Sequence, residues 1–210
     1  QDRAGSIRQG LGMKQEFLIP SEWLTDISDA ISEVLRQKDH AIIAIDGRCG
    51  AGKTTLAAAI AAINTDCGCI HMDDFYLRPE QRVPERYLEP GGNVDRERFR
   101  DEVMRPLLTG RAFYYRPLVC PAFRLGEPIY MPVKKLTVIE GSYSCHPELA
   151  DGYDLRIFLD ISSDEQMRRI RKRNGEERAL DFKRRWIPLE ELYFSTFSIA
   201  ESCHLYFASN

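Results

Sequence analysis

The sequence predicts an α/β protein of three layers, in which helices cover both faces of a mainly parallel central sheet. The segment Ala41–Ile45 is short and apolar throughout, which is typical of a strand buried on both faces of such a sheet. Similar strand-like segments return at Leu136–Gly141 and Asp154–Asp160. Segments with helical periodicity lie between them, and this alternation of strands and helices favours a parallel sheet covered by helices.

A glycine-rich loop follows the first apolar segment. Residues 47–54 fit the pattern G-x-x-x-x-G-K-[ST], whose backbone N–H groups form a nest for phosphate. A chance glycine turn is the alternative, but the strand before the loop and the helix after it are the context that the pattern requires. Lys53 would reach the β- and γ-phosphates, and the Thr54 hydroxyl would hold Mg²⁺. The predicted nucleotide-binding residues are Gly47, Arg48, Cys49, Gly50, Ala51, Gly52, Lys53, Thr54 and Thr55.

Length and composition fit one globular domain, with 210 residues of which 43% are hydrophobic and 29% charged. A formal net charge of −3 gives no basic footprint, so we expect no nucleic-acid partner. We see no bilayer-spanning apolar run and no secretory signal, and therefore expect no membrane association and a cytoplasmic location. Residues 1–12 are predicted to be a flexible tail or an expression remnant, with Met13 as a native start and residues 13–210 as the domain.

The other elements follow from periodicity and turn signals. A helix is predicted from Ser21, because apolar residues recur at helical spacing as far as Leu35. The remaining elements, in chain order, are a strand at Cys69–Met72, an irregular loop at Leu77–Gly92, a helix at Asp95–Leu108, a hairpin or flap over a pocket at Gly110–Tyr130, helices at Ser162–Arg173 and Arg184–Ile199, and a last strand at His204–Phe207.

Acidic residues stand at two predicted strand ends. Asp73 and Asp74 follow the second strand, and Glu140 ends an apolar strand in the position of a Walker B acid. Because ligands of open α/β sheets bind outside the carboxyl ends of the strands, these carboxylates can accept a hydroxyl proton or help hold Mg²⁺. Solvated acids or a helix cap are the alternative. The arginine-rich segment 168–185 is either a solvated helix or a small lid over ATP.

Taken together, these residues resemble the uridine kinase family of P-loop kinases, which is related to phosphoribulokinase and bacterial pantothenate kinase. The resemblance runs from about Ala41 to about Phe197. The segment Met72–Tyr76 looks like the family's Gln-Asp-Ser-Phe-Tyr tract, whose Asp is the catalytic base, and this implies that role for Asp73. Asp74 then stands where the family has Ser.

Further positions carry over from the family, with two departures. Glu140 matches a Glu that helps bind Mg²⁺, and Asp95 matches an Asp that holds ribose hydroxyls. The tract from Arg169 to Arg173 looks like the family's lid, which implies that these two arginines contact phosphate. Arg96 replaces a family His, and the segment Tyr115–Cys120 lacks the base-contacting His. The phosphate-transfer residues therefore match better than those that recognise uracil.

The resemblance implies an ATP-dependent kinase that uses Mg²⁺ and phosphorylates a hydroxyl of a small molecule, first of all a nucleoside such as uridine or cytidine. The predicted residues fall into three groups: catalytic Asp73, Lys53, Arg169 and Arg173; substrate-binding Asp73, Tyr76, Asp95 and Tyr115; and metal-binding Thr54, Asp73 and Glu140. The alternatives are another hydroxylated metabolite, a nucleoside monophosphate bound by Arg96, Arg98 or Arg116, and a regulatory switch that only hydrolyses nucleotide. The sequence is also compatible with a homo-oligomer.

Overall fold

A computed structural model of the chain describes residues 19–120 and 122–209; the predicted tail and the predicted start at Met13 lie outside them. The strands are β1 (Ala41–Gly47), β2 (Cys67–His71), β3 (Phe113–Tyr115), β4 (Leu118–Val119), β5 (Arg124–Leu125), β6 (Ile129–Met131), β7 (Leu136–Glu140), β8 (Leu155–Ile161) and β9 (Leu205–Ser209). The α-helices are α1 (Ser21–Gln37), α2 (Lys53–Ile63), α3 (Pro84–Leu88), α4 (Arg96–Phe99), α5 (Arg105–Leu108), α6 (Pro147–Ala150), α7 (Ser163–Asn174), α8 (Glu176–Asp181), α9 (Ile187–Phe197) and α10 (Ile199–Ser202).

The central sheet has five parallel strands in the order β2-β7-β1-β8-β9. Every residue of β1 is buried, because this strand lies between β7 and β8 and has helices on both faces. The predicted α/β class with a parallel sheet is therefore confirmed. The order also brings the carboxyl ends of β2, β7 and β1 side by side at one edge of the sheet.

Two hydrophobic cores cover the two faces of the sheet. Ile43 and Ile45 of β1 belong to one core, together with α1 and α2 residues such as Leu56. Ile42 belongs to the other core, together with Tyr193 of α9 and residues of the 96–108 segment. This division follows from the alternation of side chains along a strand, which sends neighbouring residues to opposite faces.

The segments outside the sheet follow the sequence predictions in part. The predicted irregular loop at 77–92 contains α3, which begins at Pro84, a residue that suits the first turn of a helix. The predicted helix at 184–199 is interrupted at Ser198, whose left-handed φ of +47° ends α9.

The predicted helix at 95–108 consists of α4, a π-helical turn (Arg100–Met104) and α5, with the Asp95 side chain capping its start. The predicted hairpin at 110–130 is present as two antiparallel pairs, β3 with β6 and β4 with β5. The predicted lid segment covers part of α7, all of α8 and most of a second π-helical turn (Phe182–Trp186). Within the described ranges, no helix has the length and apolar character to cross a membrane.

The turn after β7 requires glycine. Gly141 has a φ of +138°, and a Cβ added there would lie 2.7 Å from the Cβ of Met72. Its N–H donates to the Ile45 carbonyl oxygen at 3.1 Å, which ties the turn to β1. The close approach of this backbone to Met72 holds the ends of β7 and β2 together.

We predict that Gly141→Ala lowers the free energy of unfolding by about 3 kcal/mol or more, because it combines a strained φ with a steric overlap. Gly110→Ala is the matched control, since Gly110 has a φ of +62° but no atom within 4 Å of the added Cβ. That control should lose about 1 kcal/mol, the cost of the left-handed conformation alone. Urea unfolding of both variants measures the difference, and equal losses would contradict the steric account.

Candidate active site

The loop between β1 and α2 has the backbone of a phosphate nest. Gly47, Gly50 and Gly52 have φ values of +132°, +84° and +100°, conformations that side-chain-bearing residues rarely adopt. The Ala51 N–H donates to the Arg48 carbonyl oxygen at 3.0 Å, which closes the turn. Helix α2 starts at Lys53, so its N-terminal N–H groups adjoin the loop and add a positive potential.

Lys53 lies against this loop. Its side chain is 8% exposed, and its Nζ donates to the carbonyl oxygens of Gly47 at 2.6 Å and Arg48 at 3.0 Å. A third bond runs to the hydroxyl of Ser142, at 3.2 Å, in the turn after β7. The ammonium group is thus held beside the nest, where it adds a point charge for a bound phosphate.

Arg48 belongs to the loop, but its side chain is bound elsewhere. Its Nε donates to Asp160 Oδ1 of β8 at 2.7 Å, and its guanidinium also pairs with Glu191 of α9. These ion pairs attach the loop to β8 and α9. The guanidinium group of Arg48, one of the predicted nucleotide-binding residues, is therefore already paired within the protein.

A buried carboxylate at the end of β1 anchors the loop. The Asp46 carboxylate accepts four hydrogen bonds: Oδ1 from the N–H groups of Gly47 at 2.7 Å and Tyr143 at 3.1 Å, and Oδ2 from the Cys145 N–H at 2.9 Å and the Tyr193 hydroxyl at 2.8 Å. Burial raises the pKa of Asp46 above its usual value, while these donors and the charge of Lys53 act in the opposite direction. Asp46 thereby joins the phosphate loop, the turn after β7, and α9.

Two of the predicted metal ligands are in contact. The Thr54 hydroxyl donates to Glu140 Oε1 at 3.1 Å, and the Glu140 carboxylate is buried at the end of β7. His71 Nδ1 lies 2.5 Å from the same oxygen, and this hydrogen bond is the main cause that raises the pKa of His71 above its usual value. Neither this bond nor the role of His71 follows from the sequence pattern.

These residues fit Mg²⁺. The ion prefers oxygen ligands and is usually bound by one or two carboxylates together with water and substrate phosphates, rather than by an all-protein cage. The Thr54 hydroxyl and the Glu140 carboxylate supply such oxygens next to the loop. Within residues 19–120 and 122–209 there is no group of three or more His, Cys, Asp or Glu side chains that could hold a metal.

The two neighbouring acids after β2 have different partners. Asp73 is exposed on a short 3-10 turn, where its Oδ1 accepts a hydrogen bond from the Tyr76 hydroxyl at 2.9 Å. Asp74 accepts one from the Tyr115 hydroxyl at 3.2 Å, and burial raises its pKa above the usual value. The charges of both acids contribute to the raised pKa of His71, so they share one region with Glu140.

Asp95, the predicted ribose-binding residue, is 1% exposed and has partners within the protein. Its carboxylate accepts from the Arg98 N–H at 3.2 Å as a helix cap and from Arg78 Nε at 3.2 Å. Arg98 Nη2 also donates to the Asp74 carbonyl oxygen at 2.9 Å. The structure therefore connects Asp95 to the acidic turn through Arg98, which sequence reasoning had considered only as a phosphate ligand.

The two predicted lid arginines both reach the phosphate loop. Arg169 Nη1 donates to the Gly50 carbonyl oxygen at 3.2 Å, and Arg173 Nη2 lies 3.5 Å from the Cys49 Sγ. They are four residues apart on α7 and so share one helix face. The structure brings the two side chains to the same side of the loop, and their predicted contact with phosphate stays a prediction.

Glu190 of α9 is a site residue that the sequence analysis missed. Its Oε2 accepts from the Cys49 N–H at 3.1 Å, and its Oε1 accepts from the Ser142 hydroxyl at 2.7 Å. Glu190 lies far from the loop in sequence and belongs to no recognisable motif, so only the fold reveals the contact. Asp46 and His71, by contrast, directly adjoin predicted motifs, although the motifs do not indicate what either side chain contacts.

Comparison with known proteins identifies the fold. No protein-family model matches the sequence, and no curated protein matches it. Among solved structures, a protein described as a possible uridine kinase from Bacillus stearothermophilus is 18% identical with a TM-score of 0.64, over 87% of this chain and 99% of that one. A candidate fructose transport system kinase from Silicibacter sp. TM1040 is 19% identical with a TM-score of 0.68, over 88% and 98% of the two chains.

A third similar structure is described as a kinase of another small molecule. The D-glycerate 3-kinase from Cryptococcus neoformans var. grubii is 12% identical with a TM-score of 0.59, over 90% of this chain and 94% of that one. These likenesses confirm, at the level of the fold, the predicted resemblance to uridine kinase-like P-loop kinases.

We predict that Asp46→Asn lowers the free energy of unfolding by about 3 kcal/mol or more, because the amide NH₂ cannot accept and leaves buried donors unpaired. Tyr193→Phe is the comparison, since it removes one donor and leaves the carboxylate with three, at a cost of about 1.5 kcal/mol. Urea unfolding checks both values. A loss below about 1 kcal/mol for Asp46→Asn would contradict the role of Asp46 as an anchor.

Proposed function

We propose that this protein is an ATP-dependent kinase that transfers the γ-phosphoryl group to a hydroxyl of a small molecule. The observation that carries the proposal is the placement of three features at one sheet edge: the loop with Lys53 after β1, Glu140 in contact with Thr54 after β7, and the acidic turn after β2. Phosphoryl transfer needs these parts, namely a phosphate cradle, metal-binding oxygens and a carboxylate for the acceptor.

The loop and the metal ligands would orient ATP. Backbone N–H groups of residues 47–54 and the Lys53 ammonium would bind the β- and γ-phosphates, while Thr54, Glu140 and Asp73 would hold Mg²⁺ directly or through water. When bound, Mg²⁺ would supply positive charge that stabilises the phosphoryl group during transfer. Arg169 and Arg173 would add positive charge at the same place, which supports their proposed role in the lid.

Asp73 is the better candidate for the base that takes the proton of the acceptor hydroxyl. Its carboxylate is exposed and accepts a hydrogen bond from the Tyr76 hydroxyl through Oδ1, whereas the carboxylate of Asp74 is partly buried against Tyr115. A base must come within hydrogen-bond reach of its proton, and an exposed carboxylate can do so. Of the proposed substrate-binding residues, Tyr76 bonds to Asp73 itself, and Tyr115 of β3 bonds to the neighbouring Asp74.

A nucleoside such as uridine or cytidine is the acceptor that we propose first, because the sequence resemblance and one similar structure both concern uridine kinases. One observation favours a different hydroxylated metabolite: the Asp95 carboxylate is occupied by Arg78 and by the Arg98 N–H. A fold shared with a D-glycerate 3-kinase is compatible with this second candidate. For either acceptor, we propose that the protein works in the cytoplasm, where ATP is made and used.

One screen tests the proposal: ADP release from MgATP by the full chain, with uridine, cytidine, their monophosphates, pantothenate, sugars or glycerate as acceptor. We expect slow ATP consumption without acceptor, since closure of a kinase site excludes water, and a large increase with the right acceptor. Rapid hydrolysis that no acceptor stimulates would contradict a kinase and favour a regulatory switch. Product analysis by mass spectrometry identifies the phosphorylated hydroxyl compound.

Substitutions at the two neighbouring acids test the assignment of the base. We predict that Asp73→Asn lowers kcat by about a hundredfold or more, the usual effect of removing a general base, with a much smaller effect on ATP binding. Asp74→Ser should keep most activity, because a Ser hydroxyl can still accept the bond from Tyr115. Steady-state kinetics and ATP titration measure both effects. An inactive Asp74→Ser beside a normal Asp73→Asn would show that the base is Asp74.

A further inference from the structure

The buried carboxylate of Glu190 has no part in the proposed transfer, yet it contacts the phosphate loop directly. The residue is 4% exposed, on the buried side of α9. Oε2 accepts from the Cys49 N–H of the loop at 3.1 Å, and Oε1 accepts from the Ser142 hydroxyl, which in turn accepts from Lys53 Nζ at 3.2 Å. A negative charge is therefore held beside the amides and the ammonium group that would bind phosphate.

The charged and titratable groups that interact with Glu190 come from several elements: Asp46 of β1, Cys49 of the loop, Lys53 of α2 and Tyr143 of the turn after β7. Further charged and titratable groups lie one contact away: Arg173 of α7 acts on Cys49, Tyr193 of α9 bonds to Asp46, and Arg48 pairs with Glu191, the next residue of α9. Arg48 is paired with Glu191 and Asp160, whereas the charge of Lys53 acts on both Glu190 and Asp46. Two buried carboxylates thus share one ammonium group.

A bound nucleotide changes this balance. Its β- and γ-phosphates add negative charge next to the Cys49 N–H, and they compete with the two carboxylates for the positive charge of Lys53. Because like charges at close range repel, the ionised form of a carboxyl group becomes less favourable. Asp46 accepts four hydrogen bonds, which favour its charged form, whereas among the described residues Glu190 accepts two, from the Cys49 N–H and the Ser142 hydroxyl. Protonation of Glu190 keeps its bond to the Cys49 N–H through the carbonyl oxygen and removes the repulsion.

We propose that Glu190 takes up a proton when nucleotide phosphates bind to the loop, so that nucleotide affinity falls as the pH rises. This inference rests on the proposed function, because it requires that the loop binds a nucleotide. In the free protein, burial already raises the pKa of Glu190 above its usual value, so its charged form is disfavoured before any nucleotide binds. Binding then raises this pKa further, and the difference between the two states is the proton uptake.

Calorimetric titration of the full chain with MgADP, between pH 6 and pH 8, measures this uptake. At each pH the titration is repeated in buffers with different ionisation enthalpies, and the slope of the observed heat against buffer enthalpy gives the protons taken up. We expect the wild-type protein to take up as much as about one proton more than Glu190→Gln. Gln keeps an oxygen for the Cys49 N–H but cannot titrate. Subtracting the proton count of the variant from that of wild type therefore removes the contribution of protons that ADP itself gains or loses.

Affinity gives the second readout. Relative to wild type, Glu190→Gln should bind MgADP about tenfold more tightly at pH 8, and this advantage should shrink towards pH 6, where the wild-type residue is more easily protonated. Glu22→Gln, on the exposed first turn of α1, is the matched control for loss of one carboxylate and should behave as wild type.

Equal proton counts in wild type and Glu190→Gln, or weaker binding by Glu190→Gln at every pH, would overturn the proposal. If Glu190→Gln does not fold, the number of protons taken up by wild type is used alone. The proposal is then overturned if wild type takes up no proton between pH 6 and pH 8. Failure of wild type and Glu22→Gln to bind MgADP at any pH would overturn the proposed function itself, whereas binding without the extra proton would overturn only the role of Glu190.

Discussion

The buried carboxylate of Asp46 is the constraint on which the arrangement of the site depends. Its four hydrogen bonds fix the first residue of the phosphate loop, the turn after β7, and α9 around one charge. The bond to Tyr193 also sets the rotation of α9, and Glu190 lies three residues earlier on the same face of that helix. The contact between Glu190 and the Cys49 N–H is therefore a consequence of how Asp46 holds α9 against the loop.

The strand order explains why the chemical groups meet. Because β7 lies between β2 and β1, the Glu140 carboxylate stands between the acidic turn and the loop, and it contacts His71 on one side and Thr54 on the other. The close turn at Gly141 keeps these strand ends together. A parallel sheet of this kind collects its polar side chains at the carboxyl edge, where ligands of open α/β folds bind.

The sequence predicted the features that depend on local pattern. The loop of residues 47–54 and the buried strands are each encoded within a few residues, by glycine spacing or by apolar runs. The fold class followed from their alternation. Asp95 shows the limit of such reasoning, because a carboxylate that matches a ligand-binding position can equally cap a helix and pair with Arg78.

The features that the sequence did not predict are long-range ones. Glu190 is separated from Cys49 by 141 residues and meets it only because α9 packs beside β1. The bond from Tyr193 to Asp46 spans 147 residues and is likewise invisible in any window of the chain. Contacts of this kind depend on the tertiary packing of whole elements, and a single sequence carries no periodicity or spacing that reports them.

The most direct measurement of the central claim, that this loop binds nucleotide phosphates for transfer, compares Lys53→Ala with Lys135→Ala, an exposed lysine before β7. Acceptor-dependent ADP release and a thermal melt are recorded for both variants and for wild type. The account predicts that Lys53→Ala folds but loses turnover by about a hundredfold or more, because it removes the charge beside the transferred phosphoryl group, while Lys135→Ala matches wild type. Near-normal turnover by a folded Lys53→Ala would contradict it.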